Sequence, residues 1–138
     1  MSIKTDEIQI LKVGETSVTT MKLRSDGIVH VHMKDNIVFD VTEQLEHLYA
    51  CVEFVNGVKH PFMFTAGDYV SVTKEARENA KSLEAISPMY AIAIVVDNLA
   101  YKLIAEFYQK IHKPSQPTKI FSNEEKAIEW LINFPKTN

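Results

Sequence analysis

The sequence predicts an α/β fold in which an N-terminal β-hairpin is followed by the element order αβαβαβα. Two observations support this class. The segments "SVTTMKL" and "IVHVHM" are rich in β-branched residues, and the Asp26-Gly27 pair between them is a strong hairpin turn signal. After Asp40, stretches with helical spacing of apolar residues alternate with short apolar runs. Strands that alternate with helices predict a mixed, largely parallel sheet with helices on its faces and right-handed crossovers.

The first half of the chain supplies the hairpin, an edge strand and one long helix. The segment "EIQILKV", before Gly14, predicts the edge strand. Asp40 and Glu43 form a D-x-x-E start, in which each side chain can accept a bond from a backbone N–H of the first turn. Gly57 provides a left-handed end. The apolar residues of this helix follow helical spacing: Val41, Leu45, Leu48, Val52 and Val55.

The second half alternates strands and helices. "HPFMFTAG" reads as a short buried strand, and the consecutive apolar residues of "MYAIAIVV" predict a central parallel strand covered on both faces. "KIF" is the last strand. Three helices are predicted in this half. The first runs from about Lys74 to Glu84, with Ala76, Ala80 and Leu83 on one side. The second begins at Asp97 or Asn98 and has the apolar residues Leu99, Leu103, Ile104, Phe107 and Ile111. The last begins with a Ser122/Glu125 capping box and has the apolar residues Ala127, Ile128, Leu131 and Ile132.

Length and composition exclude several classes of protein. At 138 residues the chain is expected to form a single domain, 1–138. Its net charge is −3 with both signs interspersed, so no basic stripe exists that would bind nucleic acid. The longest apolar run, Met89 to Val96, is far shorter than the ~20 residues of a transmembrane helix. One cysteine and an N-terminus without a signal peptide favour a cytoplasmic location.

The sequence contains no strong motif for catalysis, cofactor binding or metal binding. The four glycines lie at predicted turns without phosphate-binding spacing, so we expect no nucleotide cofactor, and no G-x-S-x-G elbow marks a catalytic serine. His30 and His32 share a strand face, but no third ligand is marked by spacing, so a polar face on an outer strand is favoured over a metal site. Cys51 has no flanking base or second cysteine, which favours a buried core thiol over a reactive one.

The stretch "GDYVSVTKEAREN" contains the candidate site. Thr73 is a good helix N-cap, and Glu75 complements the helix dipole. Capping does not require Asp68, Tyr69 or Ser71, which lie at the C-terminal edge of the predicted sheet, where α/β folds place ligands. A phosphate on Ser71 or Thr73 would meet the positive end of the helix and nearby Lys74 and Arg77. These residues, Asp68, Tyr69, Ser71 and Thr73, form a candidate recognition or phosphorylation loop.

The segments "DGIVHVHMK", "VSVTKEARE" and "PTKIFSNEEKAIEWL" resemble small uncharacterised bacterial proteins of the STAS/SEC14-like class, which share the SpoIIAA-like fold. The resemblance covers about residues 20 to 135. It implies a mostly non-enzymatic class, whose anti-sigma factor antagonists bind a partner kinase and are switched by serine phosphorylation at the start of the helix after a central strand. That position corresponds to Ser71 or Thr73, although "GDYVSVT" replaces the antagonists' Asp-Ser-Ser or Asp-Ser-Gly signature.

Together these observations predict a non-catalytic regulatory module that binds a protein partner. The alternative is a carrier of a small apolar, lipid-like ligand, held between sheet and helices. An enzyme using His30, His32 or Asp68 is the third hypothesis. A homodimer is also expected, because Phe107, Tyr108 and Ile111 would leave apolar area on one helix that a single sheet face does not cover.

Overall fold

A computed structural model of the chain describes residues 7–98, 102–103, 105–106 and 116–136. Within these residues there are eight strands, three helices, one short 3₁₀ turn, Glu84–Ile86, and part of a further helix at residues 102–103 and 105–106. The strands are β1 (Ile10–Glu15), β2 (Thr19–Arg24), β3 (Val29–Met33), β4 (Val38–Phe39), β5 (His60–Ala66), β6 (Ser71–Val72), β7 (Met89–Val95) and β8 (Thr118–Phe121). The helices are α1 (Val41–Phe54), α2 (Lys74–Ser82) and α3 (Glu124–Ile132).

Six strands form the main sheet, in the order β1-β2-β3-β5-β7-β8. The pairs β1–β2 and β2–β3 are antiparallel, whereas β3–β5, β5–β7 and β7–β8 are parallel. The predicted hairpin turn is present: Gly27 has a φ of 90° and donates its N–H to Arg24 O at 2.9 Å. The sequence-based fold class is therefore confirmed as a mixed, largely parallel sheet with helices.

A second, two-stranded sheet was not predicted. It pairs β4 with β6 in parallel, so that Val38 faces Ser71 and Phe39 faces Val72. Each of these strands has only two residues, which is too short to show the alternation that identifies a strand. The loop 67–73, expected to be irregular, therefore contains a strand pairing.

Helix α1 begins with the predicted capping box of Asp40 and Glu43, and Gly57 lies beyond its end with a φ of 72°. Its buried side differs from the prediction. Val41, Leu45 and Val52 are only half-buried, and the buried residues are His47, Leu48, Cys51, Phe54 and Val55. These five also follow helical spacing. Leu48 and Val55 were predicted in the apolar stripe and Cys51 as a buried thiol, whereas His47 was missed because it was counted as a polar residue.

The two faces of the main sheet carry separate cores, because successive side chains of a strand point in opposite directions. On one face α1 packs against Met21, Val29, Val31 and Phe62. On the other face α3 places Ala127 and Leu131 against a core of Ile28, Met63, Ala91, Ala93, Val95 and Phe121. Strand β7 alternates in burial, and Ile92 and Ile94 are half-buried. As predicted for a central strand, no residue of β7 is exposed, although one of its faces is buried and the other half-buried.

The helix boundaries are close to those predicted, with two corrections. Helix α2 ends at Ser82 rather than Glu84, and of its predicted apolar side only Ala76 is buried. Helix α3 is capped by Asn123, whose Oδ1 accepts from Lys126 N at 2.9 Å, and not by Ser122. Both residues are good caps, and the observed cap directly precedes the first helical residue, Glu124.

One predicted helix is described only in part. Lys102, Leu103, Ala105 and Glu106 are helical, and Lys102 N donates to Asn98 O at 2.9 Å. The other predicted residues of this helix, including the self-association residues Phe107, Tyr108 and Ile111, lie outside the described residues. In the part of the chain that is described, no helix has the length and apolar character needed to cross a bilayer. The assignment of residues 1–138 to a single domain stays a prediction.

Candidate functional site

The candidate loop follows β5 and is fixed to the segment after the neighbouring strand β3. Asp68 N donates to Asp35 Oδ1 at 2.8 Å, and Asn36 N donates to Asp68 O at 2.8 Å. Gly67 N donates to Met33 O at 2.8 Å. A Cβ at Gly67 would lie 1.9 Å from Asp35 Oδ1, so this position needs glycine while the Asp35 carboxylate stays in place. The loop after β5 is thus bonded to the segment that follows the carboxyl end of the neighbouring parallel strand, β3.

The far end of the loop is held by the small sheet. Ser71 N donates to Ile37 O at 2.9 Å, and Thr73 N donates to Phe39 O at 3.1 Å. Both ends of the loop are therefore anchored through the backbone, and Asp68, Tyr69 and Ser71 between them are exposed, whereas Val70 is half-buried. The anchoring bonds satisfy backbone groups at both ends of the loop.

Tyr69 is the most exposed large hydrophobic side chain of the described residues. Its side chain is 86% exposed, and its φ of 59° lies in the left-handed region. A non-glycine residue there costs roughly 1–2 kcal/mol. Val38, on the strand that pairs with Ser71, is 61% exposed. We call the exposed group Val38, Asp68, Tyr69 and Ser71 the Tyr69 surface.

Thr73 has a structural role that the sequence indicated only in part. Its Oγ1 accepts from Ala76 N at 3.1 Å, which caps α2 as predicted. The same hydroxyl donates to Asp40 Oδ1 at 2.8 Å, and Asp40 is the N-cap of α1. The Thr73 hydroxyl and the Val41 N–H lower the pKa of Asp40. One hydroxyl therefore joins the N-terminal ends of two helices.

Ser71 differs from Thr73, because its side chain is exposed and has no hydrogen bond to any of the described residues. The cations expected to receive a phosphate are already engaged. Lys74 Nζ lies 3.8 Å from Glu78 Oε1, and Arg77 Nη1 donates to the Val72 carbonyl. The Thr73 hydroxyl therefore has a structural role, whereas the Ser71 hydroxyl is accessible.

His30 and His32 lie on one face of β3, as predicted, and both contact the same hydroxyl. Thr65 Oγ1 lies 2.7 Å from His30 Nε2 and 2.8 Å from His32 Nδ1. One hydroxyl has one proton, so it donates to one imidazole and accepts from the other. Strand β3 is an interior strand of the sheet, which corrects the expectation of an outer strand.

Burial is the main factor that favours the neutral form of His30. Burial lowers the pKa of His30; Glu124 opposes this effect, and His32, Arg24 and Lys22 add to it. Across the described ranges, no group of three or more His, Cys, Asp or Glu residues is placed to hold a metal ion. The pair therefore reads as a hydrogen-bonded polar cluster on the α3 side of the sheet.

Cys51 is buried as predicted, but it does have a histidine neighbour. Cys51 Sγ lies 3.3 Å from His47 Nε2, and His47 Nδ1 lies 3.0 Å from Thr19 Oγ1. Burial raises the pKa of Cys51 to about 12 and lowers the pKa of His47 to about 4. Both groups are neutral at pH 7, so the contact does not create the thiolate that nucleophilic catalysis requires.

The DUF7793 family, which is described as a domain of unknown function, matches residues 21–135. The chain belongs to this family. Among solved structures, it is similar to an uncharacterised protein of the DUF3478 family from Shewanella loihica PV-4, which has a SpoIIAA-like fold. The two share 12% identity with a TM-score of 0.52, over 95% of this chain and 98% of that one. The sequence matches none of the curated proteins.

These comparisons confirm the SpoIIAA-like fold that the sequence resemblance implied. At 12% identity they establish the fold of this DUF7793 chain and not its activity. The sequence located the accessible residues of the candidate loop, but it missed the Asp40–Thr73 bond and the Asp35 support. Those contacts join segments far apart in the chain, and no local spacing signals them.

Proposed function

We propose that this chain is a non-catalytic protein-interaction module of the SpoIIAA-like type, which binds a partner protein through the Tyr69 surface. The main supporting observation is the exposed, left-handed Tyr69, held on an anchored loop. Tyrosine is among the residues that dominate binding energy at protein interfaces. A loop that is already ordered also loses less conformational entropy on binding.

Recognition is a better proposal than catalysis for this surface. A serine nucleophile needs a base in hydrogen-bond reach, and Ser71 has no side-chain partner among the described residues. The Asp35 carboxylate accepts a bond from the Asp68 backbone amide, and Asp68 itself is exposed, so neither is bonded to a nucleophilic side chain among the described residues. The surface offers one aromatic side chain, one aliphatic side chain and negative charge, which suits a partner with an apolar pocket and a basic rim.

We propose Ser71, rather than Thr73, as the residue at which a kinase would switch binding. A phosphoserine adds about −1.5 to −2 charge within the Tyr69 surface. At Ser71 that charge leaves both helix caps in place. At Thr73 a phosphate would remove the cap of α2 and would face the Asp40 carboxylate, which now accepts the Thr73 proton at 2.8 Å.

The partner is proposed to be a protein, and the setting the cytoplasm. A net charge of −3 disfavours nucleic acid, and the single cysteine is a buried thiol with a raised pKa.

Self-association of the chain stays a prediction. Sedimentation that gives the mass of one chain at every concentration would contradict it. The lipid-like carrier hypothesis also stays open to test, because native mass spectrometry of freshly purified protein would show retained ligand mass.

The experiment places a photo-reactive phenylalanine analogue at position 69 and, as a matched control, at position 49. Tyr49 is also a surface tyrosine, 62% exposed, but it lies on the outer side of α1. Covalent capture from a lysate of the native host should occur from position 69 and not from position 49. Tyr69→Ala should weaken binding of the captured protein at least tenfold, as expected for an interface hot spot, while Tyr49→Ala should not.

Ser71→Glu and Ser71→Ala then test the switch with the same captured protein. The glutamate variant should change its affinity, and the alanine variant should not. If Tyr69→Ala and Tyr49→Ala bind the captured protein equally, the Tyr69 surface is not the interface. If Ser71→Glu has no effect while Tyr69→Ala does, the interface stands and the switch is wrong.

A further inference from the structure

A pocket of about 520 Å³ lies between β8 and the C-terminal half of α3. Three aromatic rings and two ammonium groups define it: the rings of Phe121, Trp130 and Phe134, and the ammonium groups of Lys119 and Lys126. Glu129 also lines its rim. Its volume falls within the roughly 300–1,000 Å³ that small-molecule sites occupy. None of these residues belongs to the Tyr69 surface.

The residues that line the pocket are two apart in β8 and four apart in α3, which places each pair on one side of its element. Lys119 and Phe121 are two residues apart in β8, so both point toward the α3 side of the sheet. On α3, Ala127 and Leu131 are buried on the sheet. Lys126 and Trp130 form the neighbouring stripe of the helix, and this stripe faces past the sheet margin. Side chains of the strand and of the helix together line the pocket at this edge of the sheet.

The aromatic rings form a continuous wall. The centroid of Trp130 lies 5.7 Å from that of Phe121 and 5.1 Å from that of Phe134. Both Trp130 and Phe134 are half-buried, so part of each ring faces the pocket. The Trp130 indole N–H has no acceptor among the described residues. This wall can therefore offer ring faces, ring edges and one free hydrogen-bond donor to a bound molecule.

The charges at the rim are unbalanced. Lys119 Nζ lies 5.4 Å from the centroid of the Phe121 ring, and in the described part of the chain neither Lys119 nor Lys126 has a carboxylate within ion-pair distance. Glu129 is the one acidic residue of the lining. Two ammonium groups against one carboxylate leave an excess positive charge next to an apolar wall. An amphipathic anion matches both properties.

We propose that this pocket binds a small organic anion with an aromatic body, such as an arylalkyl carboxylate. The ring of the ligand packs against Trp130 and Phe134, and its carboxylate lies between Lys119 and Lys126. The indole N–H of Trp130, which has no acceptor among the described residues, would donate a hydrogen bond to the ligand. This proposal is independent of the Tyr69 surface, so a failure of one does not affect the other.

The test uses phenylpropionate and its neutral counterpart, phenylpropionamide, with the whole chain. Trp130 is the only tryptophan, so its fluorescence reports directly on the pocket. Phenylpropionate should change the Trp130 emission in a saturable way, and isothermal titration calorimetry should give the same dissociation constant. The acid should bind at least fivefold more tightly than the amide, because only the acid has a charge to pair with the lysines.

Charge variants identify the residues responsible. Lys119→Gln and Lys126→Gln should each weaken binding of phenylpropionate about two- to fivefold and leave binding of phenylpropionamide unchanged. Lys74→Gln, at an exposed lysine of α2, is the matched control and should change neither. All three are surface substitutions, and circular dichroism confirms that the variants are folded.

Three results would overturn the proposal. The first is the absence of any saturable change in emission or heat with phenylpropionate. The second is equal affinity for the acid and the amide, which would show that the lysines do not select the ligand. The third is undiminished binding, measured by calorimetry, in a folded Trp130→Leu variant, which would place the bound molecule elsewhere. A Tyr69→Ala variant should bind phenylpropionate as the unmodified chain does.

Discussion

Lowering the pH from 7 to 5 should destabilise this protein through His47. The His47 imidazole is 8% exposed, and its ring nitrogens lie 3.0 Å from Thr19 Oγ1 and 3.3 Å from Cys51 Sγ. The rings of Phe39 and Phe64 complete its surroundings, with centroids 6.0 and 6.1 Å away. Burial lowers the pKa of His47 from 6.5 to about 4, and the Glu46 carboxylate opposes this only in part.

The sign of the effect follows from the lowered pKa. In the unfolded chain His47 takes up a proton near pH 6.5, whereas in the folded chain it stays neutral until about pH 4. The unfolded state therefore binds more protons in this window, so stability is complete above pH 6.5 and is lost as the pH falls toward 4. The full loss is about 3 kcal/mol, of which about 2 kcal/mol falls between pH 7 and pH 5. That is a large fraction of the ~5–15 kcal/mol of a typical domain.

Urea denaturation at pH 7 and pH 5, followed by circular dichroism, measures this difference. His47→Gln keeps a polar side chain of similar size but does not titrate, so it should lose about 2 kcal/mol less between the two pH values than the unmodified chain. A small dependence should remain, because burial also lowers the pKa of His30. His60→Gln, at a half-buried ring bonded to the Val58 carbonyl, is the matched control. If His47→Gln and the unmodified chain lose equal free energy, His47 is not a buried neutral group.

Four further predictions concern the loop and the histidine pair. Thr73→Ala should destabilise the chain by about 1–2 kcal/mol, because it removes the cap of α2 and the bond to Asp40. Ser71→Ala should change the free energy of unfolding by less than about 0.5 kcal/mol, and urea denaturation of both variants measures the difference. Gly67→Ala should cost about 2 kcal/mol by displacing the Asp35 carboxylate, and a double-mutant cycle with Asp35→Ala should show that most of this cost disappears once Asp35 is absent. Tyr69→Asn should stabilise the chain by about 0.5–1 kcal/mol, because asparagine tolerates the left-handed region, and a lower melting temperature would contradict this. Folding should need no metal, so a chelator should leave the melting temperature unchanged; a fall of many degrees would show that His30 and His32 hold one.

The features that the sequence predicted correctly depend on local signals. The Asp26-Gly27 turn needs two adjacent residues, and the Asp40/Glu43 capping box needs two residues three apart. The N-cap role of Thr73 is equally local. The order of strands and helices follows from periodicity within each segment. Such signals can be recognised without knowledge of the tertiary structure, because the interacting groups are close along the chain.

The features that the sequence could not predict depend on contacts between distant segments. Strands β4 and β6 have two residues each, and they exist only because residues 38–39 meet residues 71–72. The bond between Asp40 and Thr73 likewise needs both helix starts to be placed side by side. The aromatic pocket forms only when α3 packs beside β8, because its lining combines side chains of both elements. His47 and Cys51, four residues apart on α1, could have been paired from spacing alone, had His47 been counted as buried.

The Asp40–Thr73 bond also explains why two hydroxyls in one loop should differ in function. Thr73 is joined to the cap of α1, and α1 carries His47, Cys51 and Phe54 into the core against the sheet. A change at Thr73 therefore acts on two helix ends and on the core that α1 completes. Ser71 has no comparable link, because its backbone is held by β4 while its side chain faces solvent. Under the proposed function, a charge at Ser71 would therefore change the Tyr69 surface without removing either helix cap, so that binding could change without unfolding the domain.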